Sequence, residues 1–204
     1  MSLGERYEAH HRERRDEGDF VFVPERIPLF QTAIGRGKRV LDLGCRSGAF
    51  TRHFLEGNEV VGVDVDRAAL EKASALGIET VQADVEERLP FEDESFDAVV
   101  AGELLEHVRF PDALVSEVRR VLRARGVFVG SVPNAFRVQS RLRFLRGRPP
   151  EDDPTHLHMY SPPQIRELLH GLGDVRVSFV GGRYRRLSPR LLARDLVFSG
   201  TKPS

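Results

Sequence analysis

The stretch Val40-Leu41-Asp42-Leu43-Gly44-Cys45-Arg46-Ser47-Gly48 decides the fold, because an apolar strand breaks there at a glycine loop with an acid just inside the break. Glycine at 44 and 48 lets the backbone turn sharply and come close to a ligand. A strand tip of this kind is where an α/β sheet receives a nucleoside-bearing group. Asp64, Asp84 and Glu103 follow Asp42 at intervals of 22, 20 and 19 residues, one strand plus one crossover each time. Each acid therefore falls at the carboxyl end of a successive sheet element, on one edge of the sheet.

Outward from this stretch the pattern is regular. It predicts strands over 39–43, 59–64, 79–82, 96–101 and 127–132, and helices over 48–55, 67–75 and 112–122, with Arg125 and Gly126 stopping the last helix. Such alternation gives a parallel sheet with helices on both faces, a doubly wound α/β fold. The regularity lapses after SVPN (131–134) and returns with a helix over 162–169, followed by strands over 175–180 and about 192–199. Within a single domain of 204 residues, 1–30 reads as an N-terminal arm carrying Tyr7, His10 and His11, and 135–160 as a lid-like insertion.

Basic and acidic residues balance at 31 each, which argues against a chain that coats nucleic acid by bulk charge. The balance conceals an asymmetry. Residues 1–134 carry 18 basic and 25 acidic side chains, residues 135–204 carry 13 and 6. The single Cys45 excludes an internal disulfide and cysteine-rich zinc patterns. With no N-terminal apolar region and no long apolar span, the expectation is a cytoplasmic monomer or homodimer without stable membrane insertion.

Acids along the sheet edge suit a ligand that offers hydroxyls, an amine and a positive charge. In VVGVDVD, Asp64 is placed to accept both hydroxyl protons of a ribose, and Val65 to pack on an adenine face. Asp84 is placed to accept from the adenine amine, with the Val85 amide nearby, while Gly44 admits the backbone to a methionine moiety and Asp42 orders the loop or takes its ammonium. These features suggest S-adenosylmethionine. A nicotinamide dinucleotide is the competing ligand, but G-x-G-x-x-G would need glycine at 46, where Arg46 stands.

At this point the chain resembles the class I S-adenosylmethionine-dependent methyltransferases, in particular the small-molecule branch that includes the ubiquinone-biosynthesis O-methyltransferases (the methyltransferase type 11 group). The resemblance runs from Arg39 to about Gly173, on VLDLGCRSG, VVGVDVD, ADVEERLPFEDESFDAVV, ELLEHV, EVRRVLRARG with SVPN, and HLHMYSPPQIRELL. It implies a Rossmann-like sheet of seven strands, mostly parallel with the last antiparallel, a cofactor set of Asp42, Gly44, Cys45, Arg46, Gly48, Asp64, Val65, Asp84, Val85 and Glu103, and in-line methyl transfer from sulfonium. Related enzymes often set a basic residue before the first strand on the cofactor carboxylate, and Arg26 matches that position. Arg46 departs from the family's middle glycine. It turns outward, pairs with the cofactor carboxylate, or obstructs binding.

The implied activity is methyl transfer to an oxygen, in preference to a nitrogen, of a small-molecule acceptor. A rival reading is a weak or inactive S-adenosylmethionine-binding protein that acts through a partner. His107 is a candidate base for the acceptor proton. If ELLEHV is helical, Glu103, Glu106 and His107 share a face and could hold a divalent ion that orients an enediol or catechol; the preferred reading has Glu106 and His107 brace the next turn, with no metal expected. In HLHMY, His156 and His158 alternate toward one side of an extended segment and are further catalytic candidates, with Tyr160 as a pocket wall; the resemblance points the same way. FRVQSRLRFLRGR (136–148) interleaves five arginines with apolar residues at helical spacing. It would clamp an anionic acceptor, rest on a membrane surface, contact RNA or form a solvated face.

Overall fold

The structure, a computed structural model, describes residues 24–150 and 153–204. Tyr7, His10 and His11 lie outside the described residues, as does most of the expected arm. Seven strands form one sheet in the order β3-β2-β1-β4-β5-β7-β6. They are β1 (Arg39–Leu43), β2 (Glu59–Asp64), β3 (Glu79–Gln82), β4 (Phe96–Gly102), β5 (Leu122–Pro133), β6 (Gly173–Val180) and β7 (Asp195–Thr201). Only β7 runs against its neighbours, pairing antiparallel with β5 and β6. The seven-stranded, mostly parallel sheet is the one expected.

Strands buried on both faces read as continuous apolar runs. In β1, β2 and β4, Leu41, Leu43, Val61, Val63, Val99 and Ala101 point to one core, and Val40, Val60, Ala98 and Val100 to the other. Helix α1 (Ile27–Ile34) covers the second face with Phe30 and Ile34, and α3 (Pro111–Val121) covers the first with Leu114, Val115, Val118 and Val121. Helix α2 (Arg67–Ser74) packs beside β2 and β3, its N-terminus capped by Asp66, which accepts from the Ala69 N–H. Helix α4 (Val138–Leu145) lies in the expected insertion, α5 (Pro162–Leu168) precedes β6, and one helical turn, α6 (Pro189–Leu192), precedes β7.

Three local expectations need correction. The helix expected over 48–55 is only a 3-10 turn, Thr51–His53. Phe50 packs edge-on against Phe30 and Phe54, and the Thr51 hydroxyl reaches back to Asp42, so the segment is drawn into tight i to i+3 bonds. The helix expected to reach Leu122 ends at Val121, because Leu122 already pairs with Phe96 across a bulge; Arg125, at φ 64, lies inside β5. Finally, residues 103–107 form turns rather than a helix, with Glu103 at φ 52 where β4 ends.

Strand order reverses between β1 and β4, which opens a crevice at their carboxyl ends. Gly62, level with Asp42 in the register, leaves room for the Cys45 side chain: a Cβ there would meet Sγ at 2.6 Å.

Candidate functional site

The crevice is an open cleft of about 420 Å³, counted out into solvent, lined by Asp42, Gly44, Cys45, Arg46, Ser47, Ala49, Phe50 and Gly102. The loop is shaped by left-handed residues: Gly44 at φ 72, Arg46 at φ 49 and Gly48 at φ 76. At Gly48 a Cβ would also meet Ile78 Cδ1 at 2.6 Å, so a larger residue would displace that side-chain end in addition to straining the backbone.

Two buried acids frame the loop. Asp42 accepts a 2.6 Å hydrogen bond from Thr51. Burial pushes its carboxyl up to about 7, against the pull of that hydroxyl. Asp64 accepts from the backbone N–H of Arg46 through Oδ2 and of Asp66 through Oδ1, each at 2.9 Å. Burial raises its pKa, and the two N–H donors and the Arg46 charge oppose the rise. Each carboxylate oxygen keeps a further lone pair for a ligand. Val65 is half-buried next to Asp64, and its carbonyl accepts from the Gln82 side chain at 3.0 Å. Asp84, at the end of β3, accepts from the Glu86 N–H at 2.9 Å, and Val85 packs partly against the core. Burial raises the Cys45 thiol, with Asp42 and Asp64 adding to the effect, so it stays protonated.

Glu103 belongs to a different set. Arg26, 2% exposed, lies between two carboxylates: Nη2 is 3.2 Å from Glu103 Oε2 and 2.8 Å from Asp195 Oδ2, and Nε donates to Asp195 at 3.1 Å. Burial alone would lower the Arg26 pKa, but the two acids raise it. Glu103 is pushed up to about 7 by burial, with Arg26 pulling down. Burial likewise raises Asp195. The guanidinium thus ties the chain before α1 to the ends of β4 and β7.

The expected histidines come together from separate loops. The rings of His107 and His156 meet edge-on at 4.7 Å. His107 Nδ1 lies 3.1 Å from both the carbonyl and the hydroxyl of Thr155, and that hydroxyl donates to Asp153 at 2.6 Å. Ligand atoms of Glu106, His107 and His156 all lie within 4.8 Å of one another, a trio able to hold a metal ion; the partner sought on a helical face, Glu103, is not in it. His156, His158 and Tyr160 face inward while Leu157 and Met159 are about half exposed, as the alternation predicts. The segment is pinned by the N–H groups of Leu157 and His158, which donate to the Glu106 carbonyl at 2.7 and 3.1 Å. Tyr160 donates to the Leu105 carbonyl at 3.3 Å, and burial raises its pKa, with Glu106 adding to the rise. His158 Nε2 is buried without a hydrogen-bond partner among the described residues.

Residues 41–130 match the methyltransferase domain family model. A ubiquinone biosynthesis O-methyltransferase of Pasteurella multocida is 31% identical over 140 residues, covering 58% of this chain and 58% of its own length. A probable S-adenosylmethionine-dependent methyltransferase of Mycolicibacterium smegmatis is 32% identical over 140 residues, 67% of this chain and 52% of its own length. In fold, the chain matches the crystal structure of a SAM-dependent methyltransferase from Archaeoglobus fulgidus with a TM-score of 0.74 at 21% identity, over 96% of this chain and 99% of that one. Residues 41–130 are thus similar to the domain of S-adenosylmethionine-dependent methyltransferases. The chain spans about half the length of the curated relatives it matches.

In this methyltransferase domain the cleft suits the family's cofactor in kind. Its glycine loop lies between two buried acids, one of which, Asp64, has lone pairs left for hydroxyl donors. Sequence reasoning missed Ser47, Ala49, Phe50 and Gly102 as lining residues, and Thr51, Asp195 and Thr155 as partners of Asp42, Arg26 and His107. Phe50 was the most accessible of these, being an aromatic set immediately after a glycine loop. Asp195 gave no signal, since its partner is far off in the chain. Among the described residues no helix is long and apolar enough to cross a membrane.

Proposed function

We propose that this chain transfers a methyl group from S-adenosylmethionine to an oxygen of a small-molecule acceptor. The reading rests on one observation above others: Asp42 and Asp64 flank the Gly44–Gly48 loop where the strand order reverses. Bound there, S-adenosylmethionine supplies an electrophilic methyl group on a sulfonium. Asp64 would accept the ribose hydroxyls, Asp84 the adenine amine, and Val65 and Val85 would flank the base. Gly44, Cys45 and Gly48 would carry the methionine moiety past Asp42, and Arg46, at the mouth of the loop, would meet its carboxylate. Arg26 and Glu103, engaged with one another, would brace that edge of the sheet. His107, His156 and His158 would face the acceptor, with proximity supplying much of the acceleration.

A second reading is favoured by the Glu106, His107 and His156 trio. The Thr155 carbonyl 3.1 Å from Nδ1 of His107 is the kind of contact that orients a metal-binding histidine. A divalent ion there would orient an enediol or catechol acceptor. Calorimetry with S-adenosylmethionine and S-adenosylhomocysteine tests the main reading, followed by S-adenosylhomocysteine release with acceptor panels, with and without chelator. Binding of neither nucleoside defeats it. Binding without turnover across the panels favours instead a cofactor-binding protein that acts through a partner.

A further inference from the structure

Two stretches free of acid converge at the carboxyl edge of the sheet. Residues 135–150 contain five arginines and no Asp or Glu, and residues 181–194 contain five and none. The first follows the carboxyl end of β5, and the second ends at the start of antiparallel β7, so topology brings both to the same edge. Asn134 joins them: its side-chain amide donates to the carbonyls of Arg190 and Ala193 at 3.1 and 3.0 Å, and its N–H to that of Arg194 at 2.8 Å.

Large apolar side chains stand out of this surface. Phe144 is 69% exposed, Leu145 79% and Leu187 82%, with Phe136, Leu142 and Tyr184 between 41% and 55%. Around them Arg141, Arg146, Arg148, Arg183, Arg186 and Arg190 are exposed. Exposed apolar groups set among cations of one sign mark a surface that is completed by something else. We propose that this surface docks on an anionic bilayer, with Phe144, Leu145 and Leu187 entering the headgroup boundary and the arginines meeting lipid phosphates.

Charge decides among the occupants. A second copy of the chain using the same face would set arginine against arginine. RNA would satisfy the arginines but leave Phe144, Leu145 and Leu187 in water. A bilayer surface answers both halves. The surface shares the sheet edge with the cleft, so an acceptor dissolved in the bilayer would reach the site without crossing bulk water; that consequence, unlike the docking itself, rests on the proposed methyl transfer.

The test is flotation of the full chain with phosphatidylcholine vesicles, with and without about 30% phosphatidylglycerol, at low and high salt. The expected result is roughly tenfold stronger partition onto the anionic vesicles at about 0.1 M NaCl than at about 0.5 M, where the Debye length is roughly halved. Phe144→Ser with Leu145→Ser should weaken that partition about tenfold, with an unchanged melting temperature and unchanged S-adenosylhomocysteine affinity as folding controls. Equal binding to neutral and anionic vesicles, no binding, tighter binding to a single-stranded RNA oligonucleotide, or a dimer abolished by the double variant would each overturn the proposal. S-adenosylhomocysteine calorimetry on the same samples keeps the two readings apart, because lost vesicle binding with intact nucleoside binding removes only the docking surface.

Discussion

The backbone N–H of Arg46 donates to Oδ2 of Asp64 at 2.9 Å, while Arg46 itself stands at φ 49. One carboxylate thus fixes the loop's middle residue in a conformation that normally belongs to glycine, and the departure from the glycine pattern is absorbed in the backbone.

Arg46→Gly should leave stability unchanged or raise it by up to about 1 kcal/mol, since relief of left-handed strain offsets the added freedom of the unfolded chain. Arg46→Val, branched at Cβ, should cost about 1–2 kcal/mol. Urea unfolding of both checks the order; a Gly variant less stable than the Val variant would refute it.

Asp64→Ala should affect both fold and ligand. Two N–H groups lose their acceptor, at a cost of about 1–3 kcal/mol. S-adenosylhomocysteine affinity should fall by about a hundredfold, equivalent to two charge-assisted hydrogen bonds. Calorimetry beside thermal melting separates the effects, and unchanged affinity would show the ribose assignment to be wrong.

Asp42 makes the ligand-free protein sensitive to pH. Its carboxyl ionises near 3.8 when unfolded and at about 7 when folded, so across that interval the folded state holds the extra proton. Stability from this group is fully present below about pH 4 and is lost as pH rises through 7. Asp42→Asn, which can still accept from Thr51, should flatten that decline. Urea unfolding from pH 4 to 8 measures both curves, and parallel slopes would exclude Asp42 as the source.

Arg26→Met leaves Glu103 and Asp195 buried without their shared cation. The expected loss is about 3–5 kcal/mol. Adding Asp195→Asn should recover part of it in urea unfolding; losses that simply add would show that the two residues do not interact.

Much of the fold was legible because the 20-residue rhythm of acids at strand ends follows from covalent geometry: each crossover returns the chain to the same edge. Asp42, Asp64 and Asp84 were placed on that basis at the ends of β1, β2 and β3. The turn at 103–107 was not legible, since ELLEHV has helical spacing and only the left-handed Glu103 breaks it. Nor was the meeting of His107 with His156, which depends on Glu106 accepting two N–H groups from a segment some fifty residues on. Pattern reports neighbours within an element, whereas these contacts arise from how loops are laid over an edge.

Gly62 and Cys45 carry a last consequence. Because a methyl group at 62 would meet the Cys45 sulfur at 2.6 Å, the two positions cannot vary independently. The order of substitution therefore matters: Cys45→Gly before Gly62→Ala leaves only Ile78 Cγ2, at 3.2 Å, to give way, whereas the reverse order passes through a clash with the sulfur as well.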